Sequence, residues 1–217
     1  MARLVLVTVL LTSPLHADDT LRNLSIEHER DVTVTVLTGG GCGTGFVVHK
    51  DCDVYVVTAQ HVVKDNKEVQ ILDIPIMPGD HNWGRVFTAE VVRVSEVYDM
   101  ALLRLNPETS AHFRVGANLS PDRLRVGQRV HHVGAARGVA RAESFSEGIV
   151  SFVGRIHPRH MRTQMDQVTC AIYPGCSGGP VFDEQGRVVG IALLSAGPQL
   201  GLIHPSSLIR KFLLDAD

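Results

Sequence analysis

Three observations predict an all-β fold made of two lobes of similar size. Apolar residues form 44% of the 217-residue chain, enough to build a sizeable core. Aromatics are only 5%, while Val, Thr, Ile and Gly recur in short alternating runs that suit strands better than long helices. These runs fall into two sets of six, separated by a stretch without periodicity.

The first set opens where Val32, Val34 and Val36 alternate with Thr33 and Thr35, the period-two pattern of a half-buried strand. It continues at Gly45–Val48, Val54–Thr58, Val69–Ile74, Val86–Val94 and Met100–Leu105. Residues 107–121 mix Pro, Ser, Gly and Asn and read as a connector. The second set is Arg129–Val133, Gly148–Val153, Val168–Ile172, Val181–Phe182, Val188–Leu194 and Gly201–His204. Ser206–Leu214 has a Ser cap and carries Leu208, Ile209, Phe212 and Leu213 at helical spacing, so it predicts a short amphipathic helix packed on the second lobe. Asp18–Arg30 is polar with a weak helical pattern. One domain over residues 18–217 is expected, with lobes at about 31–106 and 122–205.

Twenty-one Lys and Arg against 23 Asp and Glu leave a net charge of −2, so nothing in the balance attracts nucleic acid or an anionic membrane. Residues 1–17 place Arg3 before an apolar stretch, Leu4 to Leu11, with a cut expected after Ala17, and they read as an export signal. The apolar stretch is too short to span a bilayer, which takes about 20 residues. Export to the periplasm or beyond makes Cys42, Cys52, Cys170 and Cys176 candidates for disulfides, with three connectivities open. Neither pair has the close spacing of a zinc knuckle, and no metal or other cofactor is expected.

The chemistry concentrates in "PGCSGGP", residues 174–180. A serine hydroxyl attacks only when a base takes its proton and a third group orients that base. His61, in "VVTAQHVV", follows a strand and is placed to project into a cleft. Asp99, in "VYDMALLRL", leads into an apolar strand and needs a partner such as an imidazole N–H to stay ionised. Gly175 and Ser177 would aim backbone N–H groups at a developing oxyanion, and Gly178 and Gly179 permit the turn. A histidine base predicts activity rising with pH through about 6 to 7.5.

"TAQHVV", "YDMALLRL" and "AIYPGCSGGPVFDEQGRVVGI" resemble the histidine, aspartate and serine motifs of trypsin-like serine proteases, most closely the HtrA/Deg family. The likeness continues through "GTGFVV", "LRVGQRVHHVG", "SEGIVSFVGR" and "GLIHPSSLIRKFL", over about residues 31–214. It implies two six-stranded antiparallel β-barrels with the site between them, His61 as general base, Asp99 as its orienter and Ser177 as the nucleophile of an acyl-enzyme. Gly175 and Ser177 would form the oxyanion hole, with a protein or peptide as substrate. By the same resemblance, Ala171, Ile172, Tyr173, Pro174, Ala192, Leu193, Leu194 and Ser195 would line the primary specificity pocket. None is charged, and an apolar wall does not stabilise a buried Lys or Arg, so cleavage after small or medium aliphatic residues is expected. Trimers are common in this family, and many members carry PDZ domains, which are not expected after Asp217 here. Gly154–Met165 stands where the family often has a longer regulatory loop, and no "IVGG"-type mature terminus is present. A short Cys170–Cys176 disulfide would shape the oxyanion turn.

Two other readings of the site compete with this one. A catalytically inactive module of the same fold would bind extended or unfolded peptides along a strand edge. A Cys176 nucleophile is opposed by register, because Ser177 holds the place immediately before the Gly-Gly pair. "GGGCGTG", residues 39–45, lacks the Lys-Ser/Thr pair of a phosphate loop, and "HPRHMR", His157–Arg162, reads as a solvated basic run rather than a metal site.

Overall fold

The computed structural model describes residue 22 and residues 25–73, 84–138, 142–156 and 163–214. The export-signal segment and the His157–Arg162 run lie outside the described residues. Among the described residues no helix is long and apolar enough to cross a membrane.

The first barrel contains β1 (Thr33–Thr38), β2 (Gly41–Lys50), β3 (Asp53–Ala59), β4 (Glu68–Asp73), β5 (Arg85–Ser95) and β6 (Met100–Leu105). Their spatial order is β1-β2-β3-β6-β5-β4, and pairing of Thr35–Leu37 with Gln70–Leu72 closes the sheet. The second contains β7 (Arg129–Gly134), β8 (Ser144–Ile156), β9 (Met165–Val168), β10 (Pro180–Phe182), β11 (Val188–Ser195) and β12 (Gly201–Pro205). Their order is β10-β11-β12-β9-β8-β7, closed where β10 meets β7. Closure removes the exposed edges that an open sheet would present.

The alternating patterns explain where the cores sit. Val34, Val36, Val47, Val56, Ile71 and Leu103 fill the first barrel. Val130, Val150, Val168, Val181 and Ile203 fill the second. A third cluster joins the lobes: Phe46 and Met100 from the first meet Met165, Phe182 and Leu193 from the second, together with Ile209 and Phe212. Those last two project from a C-terminal helix (Ser206–Leu214), where the apolar spacing predicted a packed face. Burying each large side chain contributes roughly 1.5–3 kcal/mol, so this shared cluster fixes how the barrels meet.

Three local differences have physical causes. The apolar run Val168–Ile172 is a strand only as far as Val168, because Thr169 turns to bond Ile149 through both its backbone N–H and its side-chain oxygen. Cys170 and Ile172 then bury into the second core from irregular chain. In the connector, Asn106 accepts the Thr109 N–H at 2.7 Å and Pro107 opens a single helical turn (Pro107–Ser110). Residues 25–31 are helical, and Glu29 from this segment is fully buried, with its Oε1 3.3 Å from Nδ1 of His131 on β7.

Candidate active site

Strand β3 ends at Ala59, and the next three residues, Gln60–Val62, form a 3-10 turn that presents His61 to solvent at the junction of the barrels. Asp99 stands before β6 with φ 47°, a left-handed conformation that Asp tolerates better than most residues. It holds the turn at three points. Its Oδ2 accepts from His61 Nδ1–H at 2.7 Å, its Oδ1 accepts the His61 backbone N–H at 3.0 Å, and its carbonyl accepts the Gln60 N–H at 3.1 Å. Asp99 is only 9% exposed, so the bond to the ring is formed largely away from water. That bond fixes the imidazole tautomer, leaving Nε2 free to accept a proton.

Ser177 sits in the turn between Tyr173 and β10, and the peptides of this turn are held from behind. The Arg137 N–H donates to the Pro174 carbonyl at 2.8 Å, and the Gly179 N–H donates to the Cys176 carbonyl at 3.0 Å. Because both peptides are trans, the N–H groups of Gly175 and Ser177 point to the opposite edges. Among the described residues neither N–H has an acceptor. The Arg137 guanidinium also lies over the Tyr173 ring, 5.1 Å from its centroid, which ties the start of the turn to the loop after β7.

Two glycines are required here. Gly175 has φ 96°, and a side chain there would strike the Ala135 carbonyl. Gly178 has φ 86°, and a Cβ would overlap the Thr44 carbonyl, the Thr58 hydroxyl and the Ala59 N–H.

Thr44, on β2, is a contact that the sequence motifs did not reveal. Its N–H donates to the Ser177 carbonyl at 2.9 Å, and its hydroxyl donates to the Gly175 carbonyl at 2.7 Å while accepting the Ala135 N–H at 2.9 Å. Thr58 in turn donates to the Thr44 carbonyl at 2.6 Å. One residue of the first barrel thus anchors the turn of the second.

The Ser177 hydroxyl donates to the Leu193 carbonyl on β11 at 3.1 Å, and not to His61. Rotation about one staggered side-chain bond changes this acceptor. His61 and Ser177 border one cleft of about 530 Å³, which also takes in Cys42, Val62, Lys64 and Gly175.

The residues expected to line the specificity pocket differ in their surroundings. Of its eight residues, Pro174 alone borders this cleft. Ile172, Ala192 and Leu193 are 4%, 0% and 0% exposed, so their side chains belong to the cores rather than to an open wall. Tyr173 and Ser195 are exposed, and Ala171 and Leu194 are half-buried. Ile172 packs against Gly201 on β12, where a Cβ would come within 2.5 Å of Ile172 Cγ1.

The disulfides considered from the sequence are not formed. All four cysteines are free: Cys52 is exposed, Cys42 half-buried, and Cys170 and Cys176 buried. Burial pushes the Cys170 thiol up to about 12 and raises that of Cys176. Cys176, 1% exposed and disfavoured as a thiolate, is poorly suited to attack a substrate. Among the described residues no group of three or more His, Cys, Asp or Glu side chains is arranged to hold a metal ion.

Residues 43–191 match the family model of the trypsin-like peptidase domain. The chain is 32% identical over 149 residues to the "Probable periplasmic serine endoprotease DegP-like" of Halomonas elongata, covering 69% of this chain and 28% of that protein. It is 33% identical over 151 residues to the protein of the same name from Hahella chejuensis, covering 69% and 29%. The chain therefore spans less than a third of the length of these curated relatives. Among solved structures, the serine endoprotease from Yersinia pestis shares the fold, with a TM-score of 0.70 and 22% identity over 88% of this chain and 65% of that one. With the family match covering most of the chain and both barrels in place, this protein belongs to the trypsin-like peptidase family.

Proposed function

We propose that the chain is an exported, periplasmic serine endopeptidase that hydrolyses peptide bonds through an acyl-enzyme. The observation that carries this reading is the His61–Asp99 pair, bonded at 2.7 Å, on the same cleft as Ser177. In this mechanism the Ser177 hydroxyl leaves the Leu193 carbonyl and turns to His61 as substrate enters. His61 takes its proton while Oγ attacks the scissile carbonyl. The developing oxyanion is met by the N–H groups of Gly175 and Ser177, which have no competing acceptor among the described residues. His61 then gives the proton to the departing amine, and water, activated by the same ring, releases the acyl group. Asp99 keeps Nδ1 protonated and stabilises the imidazolium that forms in each half-reaction.

Cleavage after small or medium aliphatic residues is part of the proposal. Its support is the absence of charge in residues 171–174 and 192–195. The periplasmic location is supported by the names of the relatives. Labelling with a fluorophosphonate tests the reaction class. One adduct is expected, on Ser177, and it is lost in Ser177→Ala and in His61→Ala. An intact protein that takes no label but binds extended peptides would be the inactive module instead.

A further inference from the structure

We propose that the leaving-group side of the cleft carries a subsite for a carboxylate, built on Lys64. This rests on the acyl-transfer reading above. We place the acyl side of the substrate along β11, whose Leu193 carbonyl holds the resting Ser177 hydroxyl. The departing amine receives its proton from His61. The space beyond His61, away from β11, therefore takes the residues that follow the scissile bond.

That space is the 530 Å³ cleft, and none of Ala192–Ser195 borders it. Its volume falls in the range of specific ligand sites, roughly 300–1,000 Å³. Cys42 and Val62 are apolar members of its lining, and Lys64 and Asn66 line it together with His61. Among the lining residues Lys64 is the only Lys, Arg, Asp or Glu. Its ammonium forms no ion pair with any described residue.

The backbone carrying Lys64 is fixed to the catalytic turn. Val63, 1% exposed, donates its N–H to the Gln60 carbonyl at 3.1 Å, and Asn66 donates its N–H to the Val63 carbonyl at 3.0 Å. The Asn66 amide also donates to the Lys64 carbonyl at 2.8 Å. Lys64 is thus held three residues after His61, with an exposed side chain and no internal partner for its charge among the described residues. When His61 becomes an imidazolium its charge is paired with Asp99, so Lys64 is the cation of the cleft that has no counter-charge among the described residues. A substrate carboxylate at this position offsets the Lys64 charge, whereas a substrate Lys or Arg adds to it. The favoured group is an Asp or Glu side chain, or a free chain terminus, within the first three residues after the cut.

The test uses internally quenched peptides with one acyl-side sequence and Glu, Gln or Lys at each of the three leaving-side positions, ending in either an amide or a free carboxylate. The full chain is expected to cut the Glu peptide about three- to fivefold faster than the Gln peptide, in kcat/KM, at one of these positions. The Lys peptide should be slower still, and the preference should shrink toward one in roughly 1 M salt. Lys64→Gln should abolish the ratio and Lys64→Glu should invert it, while Lys67→Gln, outside the cleft, should retain it. A preference seen only with the free carboxylate assigns the site to a chain terminus, and one seen with amidated peptides assigns it to a side chain. Cleavage at equal rates for Glu, Gln and Lys, or a ratio unchanged in Lys64→Glu, overturns the subsite alone. A chain that cuts no peptide and takes no fluorophosphonate overturns the hydrolase reading, and the subsite with it.

Discussion

The Thr44 hydroxyl donates to the Gly175 carbonyl at 2.7 Å, joining residues 131 positions apart and bridging the two barrels. The same oxygen accepts the Ala135 N–H at 2.9 Å, so it serves as donor and acceptor at once. Valine has the shape of threonine but neither function. Thr44→Val would leave two backbone groups without their partner, at a cost of about 1–3 kcal/mol, and would release the Gly175–Ser177 turn from one of its anchors. The expected result is a kcat lower by about 10- to 100-fold with KM nearly unchanged, because misaligned oxyanion donors weaken the transition state more than the ground state. Thr44→Ser should restore most of the rate. Equal kcat values for the Val and Ser variants would show that the hydroxyl does not align the turn.

Asp99 permits a substitution that separates charge from shape. Its φ of 47° is one that Asn adopts as readily as Asp, so Asp99→Asn should fold with little change in Tm. The amide nevertheless offers an N–H where the ring also offers one, which favours the wrong imidazole tautomer. A fall in kcat of roughly 10³- to 10⁴-fold is expected, in line with the effect of the same change on a Ser-His-Asp triad of this chemistry. Steady-state kinetics on a peptide substrate, together with a thermal melt, check both halves.

How much of this is legible in the sequence follows from how far each interaction reaches. The strands are legible because alternation such as Val32-Thr33-Val34-Thr35-Val36 is a local pattern, and the C-terminal helix because its apolar residues recur at helical spacing. The candidates His61, Asp99 and Ser177 are legible because each lies in a local motif whose residue types suit the proposed chemistry. Thr44 is not, since nothing around it in sequence names Gly175 or Ala135 as partners. The same limit applies to Ile172 and Ala192. Being uncharged suits them to a pocket wall, but only the packing of the second barrel decides that their side chains face its core. The end of β9 is hidden because Cys170 and Ile172 continue an apolar pattern while Thr169 has already turned the chain.

Stability should fall in mild acid because of two buried histidines. His132, 1% exposed, donates from Nδ1 to the Pro180 carbonyl at 2.9 Å, and burial pushes it down to about 4. His204 on β12, fully buried, pairs with the Gln164 carbonyl and the Thr163 hydroxyl and is also pushed down to about 4, again by burial. Between the ordinary histidine value near 6.5 and about 4, the unfolded chain binds protons that the folded chain does not. Their contribution is therefore complete above about pH 6.5 and is lost as pH falls toward 4. Burial raises Asp31, Glu143 and Asp166, which acts with the opposite sign and offsets part of the loss. Melting curves should show Tm lower by about 10 °C at pH 4.5 than at pH 7, with a shallower slope in His204→Asn. A level or rising Tm over that range would refute this assignment.

The four free thiols differ in access, which makes them countable in order. Reaction requires the thiolate and a path for the reagent, so exposure and burial set the sequence. With an aromatic disulfide reagent near pH 8, exposed Cys52 should react first and half-buried Cys42 next. Cys170, pushed up to about 12 by burial, and Cys176, raised by the same cause, should stay silent until the protein is unfolded. Denaturant should then bring the total to four. A denatured count of two would instead reveal a disulfide, and peptide mapping would show whether it joins Cys170 to Cys176. Because Cys176 lies immediately before Ser177, its modification only after unfolding would also separate the thiol from the proposed nucleophile: native protein in which only Cys52, outside the cleft lining, has reacted should still take the fluorophosphonate on Ser177.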